Sequence, residues 1–480
     1  MARRRTPWRE NLEAAAGAIL LAVMFKYFVL EFYRIPSGSM QPTLYGAGAP
    51  LELYDRVVAD KLSYHFRDPA RFEVAIFRYP LDRSKNFVKR VVGLPGEQLR
   101  IEGGDVWVRE GSDEPWRIPR RPDGVMDAHW RRVDQRNPSD QADWSLVPAA
   151  DGPPPGWSTQ SDSIRARGDG AARFRAHGGG PIVDEYTDGY PPAVAERLPR
   201  PRVTSRNPVG DLRLAARVEA LAGCESLAFS LYEGGREHRF TLPGPAAAPD
   251  AAPRLESVPR PGLRDAAPPR TAPAGEPWRL PAGRTVEVEV ANLDDLLTLR
   301  VDGRALATLP VEPLVHQADS GLRLELRGEG ADLTDLRVWR DVYYEPGRFG
   351  GPWDIPAGHY FMLGDNTQDS SDSRDWQLGT LTWVPADGEA RKVTGNWREQ
   401  GAFAPPAPDD NPVTVSGDED LTFFRDSWGE RHVFPSRLAQ GPPEKVHAPF
   451  VPRELIAGRA VASLWPIAPR LGVWRPKWIR

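Results

Sequence analysis

The sequence predicts a mainly β protein with one N-terminal helix and an inserted β-sandwich, and three observations carry this. Short runs of alternating apolar and polar residues recur from about residue 50 onward, separated by Gly-Gly, Asp-Gly and Pro signals. Only one segment, Ala14 to Phe32, is apolar enough to cross a membrane. Fifty prolines and 44 glycines cluster towards the middle, as expected of loops and linkers around β modules rather than of a helical protein.

The 480 residues allow two or three domains, and a net charge of −4 gives no bulk basic character for nucleic acid. The single cysteine, Cys224, excludes an intrachain disulfide framework and a cysteine zinc cluster. The eight histidines show no HExxH spacing, so neither a metal site nor any other cofactor is expected.

Ala14 to Phe32 spans about 28 Å as a helix, close to the hydrocarbon thickness. Lys26 and Glu31 interrupt it near its C-terminal end, where a lysine can snorkel. Arg3, Arg4, Arg5 and Arg9 precede it, and such a flank stays cytoplasmic, so residues after 33 are expected outside. Asp55–Lys61, Glu73–Tyr79 and Phe87–Val92 read as strands, and Gln98–Glu102 with Asp105–Val108 as a hairpin turning at Gly103-Gly104. From Arg109 to Val209 the pattern dissolves into extended loop. Strands then return at Leu212–Val218, Ser226–Tyr232, Arg239–Leu242, Thr285–Val290, Leu297–Val301, Arg304–Leu309, Leu322–Leu326 and Leu336–Arg340, with Asp302-Gly303 as a hairpin turn. This set resembles a concanavalin-type jelly roll. No aromatic platform or metal cluster in it identifies a partner.

Three blocks stand out in order along the chain. Tyr33-Arg34-Ile35-Pro36-Ser37-Gly38-Ser39-Met40 follows the apolar segment directly. Phe87-Val88-Lys89-Arg90-Val91-Val92-Gly93-Leu94-Pro95-Gly96 places one lysine in an apolar strand. Tyr360-Phe361-Met362-Leu363-Gly364-Asp365-Asn366 runs on to Ser370-Ser371-Asp372-Ser373-Arg374. Together they resemble the bacterial type I signal peptidases, membrane-bound serine proteases with a Ser/Lys dyad. The resemblance covers residues 14–108, 357–380 and 450–466, under half the chain.

It implies a signal-peptidase-type antiparallel β catalytic domain cut by two insertions. The expected division is 1–33 cytoplasmic terminus and transmembrane helix, 34–108 first catalytic part and 109–345 insertion, with the sandwich at about 210–345. Residues 346–382 then form the second catalytic part, 383–449 a second insertion, and 450–480 the third catalytic part with a basic tail. The implied home is the bacterial cytoplasmic (inner) membrane, single-pass, with the catalytic domain outside. The implied partners are preprotein signal peptides and membrane lipid.

A serine hydroxyl needs a base, and lysine serves only when neutral, which burial favours. Lys89, among Phe87, Val88, Val91 and Val92, has that setting, and Arg90 must face the other way along a strand. The resemblance makes Ser39 the nucleophile and Lys89 the base. It gives the oxyanion to the Ser39 N–H and the Ser37 hydroxyl. Ser370 is placed beside the lysine, with Asp372 and Arg374 as a supporting pair. Asp365 is also supporting, although Asp365-Asn366 alone reads equally as an Asx turn. Thr367-Gln368-Asp369 departs from the family's common Arg-Asp-Asn. Tyr33, Ile35, Pro36 and Val88 match the shallow apolar pockets that prefer Ala-x-Ala. His359 is expected to be structural. The alternative is an inert membrane-anchored module presenting the sandwich to glycan or protein, against which the intact Ser37, Ser39, Lys89, Ser370 and Asp372 speak.

Overall fold

The computed structural model describes residues 7–47, 53–134, 143–148, 154–160, 162–176, 179–198, 206–260, 268–272, 275–313, 319–398 and 411–479. A helix, Pro7–Phe28, opens the chain. Its apolar side chains are bare: Ile19, Leu21 and Phe28 are each more than 60% exposed. Among the described residues no helix is long and apolar enough to cross a membrane. The helix also stops short of the expected Phe32. Leu30–Arg34 is a strand paired with Arg56–Asp60, and Glu31 meets Lys61 at 3.2 Å. Pairing of that backbone outweighs the continued apolar character of Leu30 to Phe32. Arg3, Arg4, Arg5 and the side chain of Arg9 lie outside the described residues.

One antiparallel sheet runs in the order Leu30–Arg34, Arg56–Asp60, Ile456–Ser463, Val74–Tyr79, Asp82–Gly93, His359–Leu363 and Phe450–Pro452. All three separated stretches with family-like motifs therefore contribute strands to it. Val74, Ala75, Ile76 and Phe77 are all buried, because both faces of that central strand are covered. The expected hairpin forms between Gln98–Glu102 and Asp105–Arg109, with Gly103 and Gly104 at φ +67° and +102°, where a side chain would be strained. Trp353–Asp354 adds a third strand to it, so the chain rejoins this part before Tyr360.

The insertion is a two-sheet antiparallel sandwich. One sheet runs Trp144–Leu146, Gly170–Phe174, Ser320–Gly328, Cys224–Glu233, Arg236–Pro243, Arg254–Pro259, Arg270–Thr271. The other runs Ser158–Thr159, Ile164–Arg167, Gly330–Arg340, Leu212–Ala220, Val286–Leu293, Leu296–Val301, Arg304–Pro310. The sandwich thus begins at Arg131–Arg132, which pairs with Trp339 and Arg340, rather than near 210. Part of the stretch expected as loop supplies edge strands, and Trp144, Trp157, Ile164 and Phe174 sit in the shared core. These strands are two to five residues long, too short to show a period, and two of them pair far along the chain, Ile164 with Leu333 and Gly170 with Leu326.

Residues 383–449 also carry β structure. Gln377–Trp383 pairs with Arg391–Trp397 and Glu444–His447, and Val413–Val415, Leu421–Arg425 and Arg431–Pro435 form a separate small sheet. The C-terminus is not a free basic tail. Lys477–Trp478 pairs with Ala462 and Ser463, Ile479 is buried, and Arg475 turns inward to Asp55 at 2.9 Å. Trp474 and Trp478 remain about 70% exposed.

Candidate active site

The loop after Arg34 turns through one short 3-10 segment, Gly38–Met40. Met40 and Leu44 anchor it in a core with Ile35, Val57, Val74 and Ile76. Ser39 is thereby held at the edge of a cleft, only 9% exposed, while Ser37 stays exposed. Lys89 lies on the Asp82–Gly93 strand opposite Ala75. Its side chain is 3% exposed and its Nζ is 2.5 Å from Ser39 Oγ. Ser37 Oγ is 3.4 Å from Ser39 Oγ.

Burial strips water from the Lys89 ammonium and lowers its pKa to about 8, against the opposing pull of Asp372. The next residue faces the other way, as strand geometry requires. The fully buried Arg90 donates from Nε and Nη2 to Asp365 at 2.8 and 2.6 Å, and from Nη1 to the Phe72 carbonyl at 2.6 Å. Burial alone would raise the Asp365 carboxyl. Arg90's charge and hydrogen bonds outweigh it and hold the group well below the usual carboxylate range.

Asp372 and Arg374 also form a buried pair, with both guanidinium contacts at 2.8 Å. Asp372 further accepts the Gly364 N–H at 3.0 Å, tying the segment before Asp365 to the one after Ser370. Arg374 donates to the Glu345 and Thr367 carbonyls, which braces this loop against the returning insertion. Ser370 is fully buried beneath Ser39, but its hydroxyl has no hydrogen-bond partner, so the expected contact with the Lys89 amine is not made. The tightness of this packing shows at Gly364, where a Cβ would lie 2.1 Å from Ser370 Oγ and 2.4 Å from the Ser39 carbonyl oxygen.

Asn366 does more than close a turn. Its backbone N–H donates to the Ser39 carbonyl at 3.1 Å and its Nδ2 to the Gly38 carbonyl at 3.0 Å, so it fixes the loop that presents Ser39. The Asp-Asn pair had suggested only local hydrogen bonding. Asp369, where the motif departs from the family's common asparagine, is also near the site. Burial raises its pKa to about 6 while Lys89 pulls it down.

The cleft beside Ser39 and Lys89 has a volume of about 650 Å³, and Tyr33, Ile35, Pro36 and Val88 all line it. Three further contributors had no sequence signal. Tyr186 and Leu198 come from the first insertion and Arg398 from the second. The first insertion also reaches the nucleophile loop through Tyr190, whose hydroxyl donates to Gln41 Oε1 at 2.5 Å. Among the described residues no histidine lines the cleft. His359 is remote from it and contacts the Ala357 carbonyl at 3.0 Å.

Residues 8–144 and 282–394, together more than half of the chain, match the family described as "Signal peptidase, peptidase S26". The chain is 39% identical over 107 residues to a protein of Synechocystis sp. named "Probable signal peptidase I-2", covering 21% of this chain and 45% of that one. It is 32% identical over 162 residues to "Signal peptidase I" of Leptolyngbya laminosa, covering 30% of this chain and 74% of that one. Among solved structures, galectin LEC-6 of Caenorhabditis elegans matches 27% of this chain and 83% of its own, at 14% identity and a TM-score of 0.21, too low to establish a shared fold. The family match runs through Ser39 and Lys89 in its first stretch and Asp365 to Arg374 in its second, and the chain belongs to the S26 signal peptidase family.

Proposed function

We propose that this chain is a membrane-anchored serine endopeptidase that removes N-terminal signal peptides from exported preproteins through a Ser39/Lys89 dyad. The observation that carries this is the 2.5 Å approach of Lys89 Nζ to Ser39 Oγ at the edge of an apolar cleft, with the lysine's pKa lowered to about 8. In its neutral form the amine takes the Ser39 proton as Oγ attacks the scissile carbonyl. The negative charge that develops on the carbonyl oxygen falls to the Ser39 N–H and the Ser37 hydroxyl. Collapse expels the new amino terminus, which takes the proton from Lys89 and leaves Ser39 acylated. Lys89 then activates water to release the acyl group. Asn366 keeps the Ser39 loop in register, and the two buried ion pairs hold the loop that carries Asn366.

Tyr33, Ile35, Pro36 and Val88 form the wall against which small residues of an extended peptide pack. The exposed apolar surface of Pro7–Phe28, with Trp474 and Trp478, supports an anchor that holds the cleft at a bilayer surface, where tryptophans favour the headgroup region. In this reading the catalytic sheet lies on the extracytoplasmic side of a bacterial inner membrane.

The test is cleavage of a model precursor by the full chain in detergent. Alanine directly before the cut is expected to be processed, and phenylalanine there to lower kcat/KM by at least about 100-fold, since the shallow pocket that the family resemblance implies suits a methyl group and not a ring. Equal cleavage of both would refute the pocket assignment.

The pH dependence is a second check. Only the deprotonated amine acts as base, so kcat/KM should rise with pH and level off above about 8. Among the described residues no histidine lines the cleft, so His359→Ala should leave that limb in place. A limb centred near 6.5 that vanishes with a histidine substitution would overturn the lysine assignment.

A further inference from the structure

The structure assigns a divalent-cation site to the junction between the catalytic hairpin and the inserted sandwich, built from Asp105, Asp211, Asp294 and Asp341. One carboxylate oxygen from each lies within 4.8 Å of every other. Oxygens bound to a common Ca²⁺ at about 2.3–2.6 Å can stand at most about 5 Å apart, so this spacing suits one hard cation with all-oxygen ligands. The four residues come from distant parts of the chain. Asp105 opens the second strand of the hairpin, Asp211 precedes the first long sandwich strand, Asp294 sits in a turn at φ +49°, and Asp341 follows the last sandwich strand. No local motif could have revealed them.

Three of the four carboxylates are at least nine-tenths buried, and one cation, Arg121, pairs with two of them. It holds Asp294 and Asp341 each at 2.6 Å. Arg131 and Arg340 also act on Asp341 from farther away, and four carboxylates against three guanidinia still leave an excess of negative charge. His129, in contact with Arg121, does not offset it, since burial drives its pKa down to about 3 and keeps it neutral.

A second, independent feature points to a ligand. Asp105, Asp294, Asp341 and Arg121 border a cavity of about 20 Å³, room for one water-sized or ion-sized occupant. Tyr344 borders the same cavity. It is 5% exposed, yet its hydroxyl has no hydrogen-bond partner. Burying a hydroxyl unpartnered is costly, and a cation with its bound water supplies the missing partner. The bound ion would pin the sandwich to the catalytic unit.

The experiment uses the full chain in detergent, dialysed against EDTA. Terbium titration is expected to give sensitised emission that calcium displaces, and millimolar calcium to raise the thermal midpoint by several degrees. Asp105→Asn, which leaves the Arg121 pairs intact, is expected to melt no lower than the parent without cation, because repulsion is relieved, whereas Asp211→Asn gives up one acceptor for Asn292 Nδ2 or the Asp294 N–H and is expected to melt lower. Both should lose at least tenfold in terbium affinity. Asp426→Asn, in the separate Asp426/Glu430/His432 group, is expected to change neither readout. The proposal is overturned if the parent chain shows no terbium emission and no shift with calcium, magnesium or manganese. It is equally overturned if Asp105→Asn and Asp211→Asn respond to calcium as the parent does. Should Asp211→Asn not fold, the parent titration and the partly exposed Asp105→Asn decide.

Discussion

Ser39→Ala and Lys89→Met are each expected to lower precursor cleavage by at least about 10⁴-fold, and the double variant no further, because nucleophile and base act as a unit. Loss of the Ser39 hydroxyl removes the attacking atom. Loss of the Lys89 amine removes the only titratable group within hydrogen-bond reach of it in the described site. The folds should survive. Ser39 Oγ sits at the cleft edge, and alanine leaves the Asn366 contacts to the Gly38 and Ser39 carbonyls untouched. For Lys89→Met the sign of the stability change follows from the lowered pKa. Below about pH 8 the folded protein carries a buried ammonium that the unfolded chain hydrates freely, so the native lysine is destabilising there. That penalty fades as pH rises from about 8 towards the free-lysine value. Lys89→Met should therefore melt at or above the parent at pH 7. Either single variant retaining more than about 1% of parental turnover would sink the dyad.

The sequence disclosed the parts of this architecture that are local. Glu73–Tyr79 and the Gly103-Gly104 hairpin are bounded by their own turn residues, and the observed strands fall within a residue or two. The Ser39 and Lys89 assignments came from motifs whose neighbours belong to the same block. What it hid is long-range. Tyr186, Leu198 and Arg398 reach the cleft from insertions whose sequence has no relation to the motifs. Asn366 looked like a turn residue because its two acceptors, the Gly38 and Ser39 carbonyls, are backbone atoms over 300 positions away. The sandwich edge strands were concealed by brevity, and the helix end at Phe28 by a strand pairing that apolar composition does not announce. The first insertion touches the nucleophile loop at Gln41, which tells against its being a detachable ornament.

Asp365→Asn is expected to destabilise the protein by about 3–5 kcal/mol, the range for breaking a fully buried ion pair, without removing any group that touches substrate. The side chains of Arg90 and Asp365 are both 0% exposed, and their contacts are bidentate, at 2.8 and 2.6 Å. An asparagine keeps one acceptor but leaves the guanidinium charge without a counter-ion in a site water does not reach. The effect should be even from about pH 5 to 9. Asp365's folded pKa lies well below the free value, so its contribution is complete above the unfolded pKa of about 4 and is lost only as pH falls through the folded one. Activity should fall with stability, because Asp365 precedes the Asn366 clamp on the Ser39 loop. The double variant Arg90→Met with Asp365→Leu removes both charges together and should recover part of the loss, since no charge is then stranded. The measurement is the thermal midpoint by intrinsic tryptophan fluorescence at pH 7, in the same detergent for all three proteins. A midpoint for Asp365→Asn within 2 °C of the parent, or a double variant less stable than Asp365→Asn, would show that this pair does not hold the catalytic loop.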